Sequence, residues 1–280
     1  MDVAVQREFQ FTREDFDFLR RLANRRTGIV VGDDKYSMFY ARLSRRLRAL
    51  GLSDFKAYCD YLRRPEGAAE ADELVNAITT NLTAFFRENH HFAFLARTAV
   101  PEVLERNAAD RQLQVWSAGC STGEEPYSIA MTLRESVSAG AGWRLRVLAT
   151  DIDSNVLAQA RNGVYPLQRV DDMEPARLRR WFLKGKGPQA GRARVNDAVR
   201  DLVEFSRLNL MDDWHMPQVD MIFCRNVIIY FDRATKQRLV QKFADTLPVG
   251  GYLFVGHSES LYKNTDRFEL VGNTVYRKVK

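Results

Sequence analysis

The stretch Val115-Trp116-Ser117-Ala118-Gly119-Cys120-Ser121-Thr122-Gly123-Glu124-Glu125 decides the fold. An apolar run gives way to small residues and two acids, and the apolar residues that follow recur at helical spacing. This order predicts a strand, a tight turn and a helix, the first unit of a nucleotide-binding α/β sheet. Gly119 and Gly123 lack a Cβ, which would let the backbone of the turn approach a ligand closely.

The ligand of this turn is predicted to carry positive charge. The glycine spacing differs from the G-x-G-x-x-G of pyrophosphate-binding turns. Glu124 and Glu125 would also share the helix N-terminus with a phosphate, so that two anions would compete for one site. S-adenosylmethionine, with an ammonium and a sulfonium group, fits such a turn better. The alternative is an ordinary strand–helix turn with a capped helix and no ligand.

The next strand supplies a second acidic position. Residues 145–150 form an apolar run that leads into Asp151 and Asp153 and then into a helical pattern. In doubly wound folds an acid after the second strand binds the hydroxyls of a ribose. We assign that role to Asp151, whereas Asp153 could instead cap the following helix.

Composition limits the class of protein. The 280 residues are 45% hydrophobic and 28% charged, with a formal net charge of +6, as in ordinary globular proteins. No apolar run approaches the ~18–20 residues of a membrane span, and the start does not resemble a signal peptide. The three cysteines and four histidines lack the spacing of a disulfide framework or a metal site. We therefore expect a cytoplasmic protein without a bound metal.

The pattern of apolar residues changes along the chain. Residues 1–75 are predicted to form an all-helical domain, and residues 76–112 a linker and a helix that carries the Asn81–Arg87 motif. Residues 113–280 alternate between strands and helices, with strand candidates at 113–118, 145–150, 202–208, 219–224 and 251–256, and a final hairpin of 268–271 and 274–279. This order is typical of the seven-stranded, Rossmann-like sheet of class I methyltransferases, whose last strand is antiparallel. Residues 166–201 interrupt the alternation, and we predict a small antiparallel β-subdomain there that turns near Gly185–Gly191.

One helix of the first domain is strongly basic. Residues 35–64 contain eight basic and two acidic side chains, a local net charge of +6. Arg42, Arg45 and Arg46 are spaced to share one face of a helix. The density of charge favours an acidic partner, and an ordinary solvated surface is the alternative.

Five motifs in chain order resemble those of one family, the chemotaxis receptor methyltransferases (CheR). They are Thr79–Glu88, Ser121–Ser128, Ala149–Asp153, Ile222–Asp232 and Gly250–Glu259. The resemblance extends over essentially the whole chain. It implies transfer of a methyl group from S-adenosylmethionine to glutamate side chains of transmembrane chemoreceptors, which leaves S-adenosylhomocysteine and a glutamyl methyl ester.

The resemblance also implies site residues. Glu125 would bind the methionine ammonium, Asp151 the ribose, and Arg87 and Tyr230 would lie near the transferred methyl. The implied contacts to the cofactor are Asn81, Thr83, Arg87, Glu125, Asp151, Asn209, Leu210, Arg225 and Asn226.

The implied partner is the cytoplasmic helical bundle of a chemoreceptor, which Arg42, Arg45 and Arg46 would contact. In some members of the family the β-subdomain binds a tethering peptide from the receptor C-terminus by strand addition. Gly185, Gly187 and Gly191 resemble the turn of those members. We expect a monomer that binds no nucleic acid and does not insert into the membrane.

The chemistry needs no catalytic base. A glutamate side chain has a reference pKa of ~4.3 and is already an anionic nucleophile at neutral pH. The enzyme must align oxygen, methyl and sulfur, and the planar guanidinium of Arg87 is suited to orient the carboxylate.

Two alternatives remain from the sequence. Cys224 could be the nucleophile of a nucleic-acid methyltransferase, although its apolar strand favours a small buried hydrophobe. A scaffold that binds the cofactor without catalysis is the other alternative, and the presence of Arg87, Asp151 and Tyr230 argues against it.

Overall fold

The computed structural model describes residues 7–261 and 265–280, which form two compact units. The first contains the described residues up to Thr80 together with Tyr230–Asp232. The second contains Asn81–Ile229 and the described residues from Arg233 onwards. The helices of the described chain are too short or too polar to cross a bilayer.

The first unit is helical, as the sequence predicts. Its helices are α1 (Arg13–Thr27), α2 (Tyr36–Leu50), α3 (Phe55–Arg63) and α4 (Ala68–Ile78). Thr12 and Asp15 form a capping box at the start of α1, which satisfies backbone N–H groups there. The helices enclose a core that includes Phe16, Phe39 and Phe55. Ile29 pairs with Phe231, which explains why the short segment 230–232 belongs to this unit.

The second unit contains the remaining regular elements. Its helices are α5 (His90–Phe94), α6 (Val100–Arg106), α7 (Glu124–Ser136), α8 (Ser154–Asn162), α9 (Pro175–Trp181), α10 (Asp197–Arg200) and α11 (Arg233–Thr246). Its strands are β1 (Gln112–Ala118), β2 (Arg144–Asp151), β3 (Val164–Pro166), β4 (Phe182–Lys184), β5 (Arg192–Val195), β6 (Val203–Arg207), β7 (Met221–Cys224), β8 (Tyr252–Val255), β9 (Phe268–Gly272) and β10 (Val275–Lys278).

The main sheet has seven strands in the order β6-β2-β1-β7-β8-β10-β9. The first five are parallel, and β10 runs antiparallel between β8 and β9. Strands β7 and β8 are buried along their whole length, as expected of parallel strands covered by helices on both faces. The predicted class I methyltransferase fold is confirmed.

A separate three-stranded antiparallel sheet has the order β3-β5-β4. Strands β4 and β5 are joined through residues 185–191, where the hairpin turn was predicted. The predicted start at residue 166 is too late, because β3 begins at Val164. Gly163 ends α8 in the left-handed region with φ 61° and turns the chain directly into that strand. The insertion also contains α9 and α10, which the sequence did not predict.

Two further boundaries differ from the sequence prediction. Helix α4 continues past residue 75 to Ile78, and Leu74 and Ile78 are buried in the helical core. The Asn81–Arg87 motif lies in a non-helical segment before α5 rather than in a helix. Phe86 and Glu88 have φ values of 52° and 56°, which a right-handed helix does not accommodate.

Candidate active site

The turn after β1 is fastened to the end of β2. The amides of Gly119 and Cys120 donate to the carbonyl of Thr150 at 2.8 and 2.9 Å. Gly119 has φ 88°, and a Cβ there would lie 2.5 Å from a methyl of Val227. The glycine is therefore required by close packing against the loop after β7. The sequence interpretation, close approach of a ligand, did not foresee this contact within the protein.

Asp151 ends β2 and is almost wholly buried. Its carboxylate accepts from the amides of Ser121 at 2.8 Å and Asp153 at 3.0 Å. Burial raises the pKa of Asp151 to about 6, although these backbone donors oppose the shift. Asp153 caps α8 by accepting from the amide of Asn155, as the alternative reading predicted, and it also accepts from the side chain of Asn81 at 2.8 Å.

Glu125 lies at the start of α7 and is also buried. One of its oxygens accepts from the hydroxyl of Ser117 at 2.7 Å, and the other accepts from the guanidinium of Arg225 at 3.2 Å. Burial raises the pKa of Glu125, while the positive charge of Arg225 opposes that rise. Because a carboxylate can accept about four hydrogen bonds, both oxygens retain capacity for a donor from a ligand.

Arg225 connects three segments of this edge. Its guanidinium contacts Glu125 on α7, donates to the carbonyl of Arg87, and forms an ion pair with Glu88 at 3.2 Å. Arg225 is only 6% exposed and lies against the ring of Phe92. Its side chain thus holds together the Asn81–Arg87 motif, the helix after β1 and the end of β7.

Glu88 belongs to this cluster of charged side chains, and sequence reasoning did not identify it. It accepts from Nδ1 of His257 at 2.8 Å and pairs with Arg225. Burial raises its pKa, but the His257 hydrogen bond and the Arg225 charge outweigh burial and lower the pKa to about 2. The signal was its position next to Arg87 within a quoted motif, but its partners lie 169 and 137 residues away.

Glu88, His90 and His91 present potential ligand atoms within 4.8 Å of one another, a cluster that the spacing did not suggest. Arg225 lies 3.2 Å from one oxygen of Glu88, and its charge opposes a second cation there. His91 is buried and its Nε2 is 3.0 Å from the carbonyl of Asn273. The prediction that no metal binds therefore stays a prediction.

The Asn81–Arg87 motif is folded onto the sheet edge. The carbonyl of Asn81 accepts from the hydroxyl of Ser121 at 3.0 Å. The guanidinium of Arg87 donates to the carbonyl of Leu82 at 2.8 Å and closes its own loop. The carbonyl of Thr83 accepts from Arg169 at 2.9 Å. The motif thus reaches the residues that follow β1 and β2.

Asn209 and Leu210 follow β6. The amide of Leu208 donates to the carbonyl of Asp151 at 3.0 Å, which places this loop beside the end of β2. The side chain of Asn209 bonds to the amide of Met211 and to Asp212, and so forms a turn.

Asn226 directly follows Arg225 and has φ 58°, a left-handed conformation that is uncommon outside glycine. Its amide donates to Glu259 at 2.8 Å. Tyr230 belongs to the first unit, where its carbonyl accepts from the amide of Val30 at 2.8 Å.

Arg42, Arg45 and Arg46, three of the four arginines of α2, do not form one free basic face. Arg42 donates to the carbonyls of Ile78 and Thr79 at the end of α4. Arg46 forms a bidentate pair with the buried Glu70 at 2.9 and 2.6 Å. Arg45 is exposed. Spacing placed the three side chains correctly on neighbouring turns. It could not reveal that Arg42 and Arg46 form hydrogen bonds with α4 and its C-terminal end.

The glycines of the β-subdomain differ in what constrains them. A Cβ at Gly185 would lie 2.0 Å from the carbonyl of Gln189, so the turn requires glycine there. Gly187 and Gly191 have φ values of 55° and 82° with open space around them. Gly185 is therefore required by close packing within the turn, whereas Gly187 and Gly191 are favoured by their positive φ values and have no neighbouring atoms of the described residues within 4 Å of a Cβ.

Cys224 is fully buried at the end of β7, and burial raises the pKa of its thiol well above the ordinary value. A nucleophilic cysteine needs an accessible thiolate. The geometry supports the interpretation of Cys224 as a small core residue.

Two family models match this chain. The one described as the CheR methyltransferase SAM binding domain matches residues 81–277, and the one described as the CheR methyltransferase all-alpha domain matches residues 14–79. Their boundary coincides with that between the two compact units.

The chain is also similar to curated proteins over nearly its full length. It is 48% identical to chemotaxis protein methyltransferase 2 of Pseudomonas aeruginosa over 271 residues, which cover 96% of this chain and 94% of that protein. It is 44% identical to the chemotaxis protein methyltransferase of Salmonella typhimurium, with coverage of 98% and 94%, and 44% identical to that of Escherichia coli, with coverage of 93% and 89%.

Proposed function

This chain belongs to the CheR methyltransferase family, and we propose that it methylates glutamate side chains of chemoreceptors with S-adenosylmethionine as the methyl donor. The observation that carries the proposal is a pair of buried carboxylates at one edge of the sheet: Glu125 at the start of the helix after β1, and Asp151 at the end of the adjacent parallel strand β2. Buried acids at this edge suit a ligand with an ammonium group and ribose hydroxyls and oppose an anionic phosphate.

We assign the cofactor contacts as the motifs suggest. Glu125 would accept from the ammonium group, since Arg225, its one ion-pair partner among the described residues, also pairs with Glu88. Asp151 would accept from the ribose hydroxyls. Because the guanidinium of Arg225 is engaged by Glu125, Glu88 and the carbonyl of Arg87, the backbone of Arg225 and Asn226 would contact the cofactor.

The remaining proposed contacts come from two loops beside these acids. Asn81 and Thr83 belong to the motif that is fastened to Ser121 and Asp153. Asn209 and Leu210 follow the amide that bonds to the carbonyl of Asp151. These bonds to the ends of β1 and β2 support the proposal that all four residues contact the cofactor.

The bound cofactor supplies an electrophilic methyl group on a sulfonium. The substrate carboxylate is already ionised at neutral pH, so no residue needs to remove a proton. Arg87 is proposed to orient the incoming carboxylate, which requires its guanidinium to exchange the Leu82 carbonyl for the substrate. A carbonyl is a weaker partner for guanidinium than a carboxylate, so the exchange is favourable. Tyr230 is proposed to border the methyl-transfer cavity.

We further propose that Arg45 contacts the acidic surface of the receptor bundle, because Arg42 and Arg46 are committed to α4. The open turn with Gly185, Gly187 and Gly191 is proposed to adjoin the site of a tethering peptide, which would add a strand to the small sheet.

Methyl transfer to a purified chemoreceptor tests the proposal. Arg87→Ala is expected to reduce kcat by at least ~10²-fold, because a positioning contact contributes several kcal/mol, while the free energy of unfolding changes little. Arg97→Ala, which removes an exposed arginine of the turn Leu95–Ala99, is the matched control. Equal rates for the two variants would remove Arg87 from the mechanism, and an inactive wild-type protein would contradict the proposed function.

A further inference from the structure

Glu259 lies in the turn after β8 and is 6% exposed. Its carboxylate accepts three backbone hydrogen bonds. One oxygen accepts from the amides of Asn226 at 2.8 Å and Gly256 at 2.6 Å, and the other accepts from the amide of Ile229 at 3.1 Å. A carboxylate surrounded by amide donors is a strong, charge-assisted anchor.

The segment that Glu259 anchors is the loop after β7. The bonds to Asn226 and Ile229 fix both ends of this four-residue segment, and Asn226 is held at φ 58°. Such a conformation costs free energy and persists only where the surroundings determine it. The hydrogen bonds from Asn226 and Ile229 to Glu259 hold the loop in this conformation.

The same loop is confined on both sides. A Cβ at Gly256 would lie 2.4 Å from the side-chain nitrogen of Asn226, and a Cβ at Gly119 would lie 2.5 Å from Val227. The loop after β7 is therefore seated between the turn after β1 and the turn after β8. Small shifts of its backbone would be transmitted to both.

We propose that Glu259 is a positioning residue for the cofactor site and acts through Arg225 and Asn226. The inference rests on the proposed function, in which the backbone of these two residues contacts S-adenosylmethionine. Arg225 directly precedes the anchored amide of Asn226, and its guanidinium reaches Glu125 and Glu88. Loss of the anchor would displace the backbone contacts and loosen the arginine bridge together.

A carboxylate is better suited to this position than an amide. Glutamine has one acceptor oxygen, which could serve Asn226 and Gly256, but its NH₂ group would then face the amide of Ile229. Glu259→Gln should therefore retain part of the anchor, and Glu259→Ala should lose all of it.

Binding of S-adenosylhomocysteine by the full chain tests the inference, with calorimetry at a temperature where every variant is folded. We expect Glu259→Ala to raise Kd by about tenfold or more and Glu259→Gln to raise it less. The control is Asp220→Asn, since Asp220 is a buried acid that accepts from the amide of Gln114 near the amino end of β1. That variant should lose thermal stability without a change in Kd.

A Kd unchanged in Glu259→Gln and in Glu259→Ala, with both less stable, would make Glu259 only a structural residue and overturn the inference. Equal rises of Kd in the Glu259 and Asp220 variants would overturn it as well. If Glu259→Ala does not fold, Glu259→Gln and Glu259→Asp carry the test. Failure of the proposed function is distinguishable, because a wild-type protein that binds S-adenosylhomocysteine but does not methylate receptors would contradict the function while the comparison of Kd values still decides the role of Glu259.

Discussion

Asp151 couples the proposed cofactor site to pH, because burial raises the pKa of its carboxyl to about 6. Ribose hydroxyls would donate to the ionised carboxylate and so lower this pKa on binding. Binding should therefore release a proton near pH 6, and affinity should rise as the pH increases through about 6. Calorimetry in two buffers of different ionisation enthalpy measures the release.

Asp151→Asn is expected to abolish this proton release and to weaken binding by about 1–3 kcal/mol. Proton release that persists in the variant would assign the linkage to another group. Unchanged affinity would remove Asp151 from the ribose contact.

His91 should make folding stability depend on pH. Burial, with the nearby charge of Arg225, lowers the pKa of His91 from 6.5 to about 4. Between these values the unfolded chain binds more protons than the folded one, so stability is lost as the pH falls from about 6.5 to about 4. The loss attributable to His91 is at most about 3 kcal/mol.

The difference in unfolding free energy between wild type and His91→Gln, followed by denaturant titration across this range, isolates the contribution. The difference is needed because the raised pKa of Asp151 contributes the opposite slope between 3.8 and about 6. His90→Gln, at an exposed ring, is the matched control. Parallel profiles for wild type and His91→Gln would show that His91 does not titrate as described.

Cys224 distinguishes receptor methylation from a cysteine-dependent nucleic-acid reaction. Because the thiol is buried and its pKa is raised, Cys224→Ala should retain methyl transfer close to that of wild type. Complete loss of transfer from a variant that remains folded would restore the nucleophile hypothesis.

At the scale of elements, α2 combines a structural and an exposed arginine on one face. Arg46 pairs with the buried Glu70, which also accepts from the hydroxyl of Tyr58. Arg46→Ala would leave Glu70 without its cation, and we expect the free energy of unfolding to fall by about 2–3 kcal/mol. Arg45→Ala removes the same charge at an exposed position and should change stability little. Equal losses in denaturant unfolding would contradict this division.

We expect the exposed Arg45 to affect the rate of receptor methylation rather than the stability of the fold. Arg45→Glu is expected to slow methylation of receptor-containing membranes, with the largest effect at low salt. Methylation rates of wild type and variant across a salt series measure the effect. Rates that coincide at every salt concentration would make Arg45 an ordinary solvated side chain.

Helices and strands could be predicted from the sequence where the pattern of neighbouring residues determines them. The unit of β1, its turn and α7, and the acid at the end of β2, follow from periodicity over a few residues, so the sequence could place Glu125 and Asp151 at this edge of the sheet. Their contacts to the cofactor stay predictions. The helix expected around Asn81–Arg87 is absent from the described chain. Phe86 and Glu88 have positive φ values, and their partners, Ser128 for the amide of Phe86 and Arg225 and His257 for Glu88, are distant in sequence. Glu88 and Glu259 were not identified because their partners are distant in sequence, up to 169 residues for Glu88 and 33 for Glu259.

At the scale of the molecule, a helical unit accompanies a class I methyltransferase sheet, and the family models divide at the same residue. The class of sheet, with an antiparallel last strand, followed from the alternation of elements and the final hairpin. The different roles of Arg45 and Arg46 in α2 could not be predicted from the sequence, because they depend on which arginines bond to α4.

The most direct test of the central claim uses the wild-type chain, chemoreceptor-containing membranes and S-adenosylmethionine labelled in its methyl group, followed by brief alkali. A glutamyl methyl ester is labile, so the account predicts that the label is released as methanol. Label that resists alkali, or that is incorporated only when RNA or DNA is added, would contradict it.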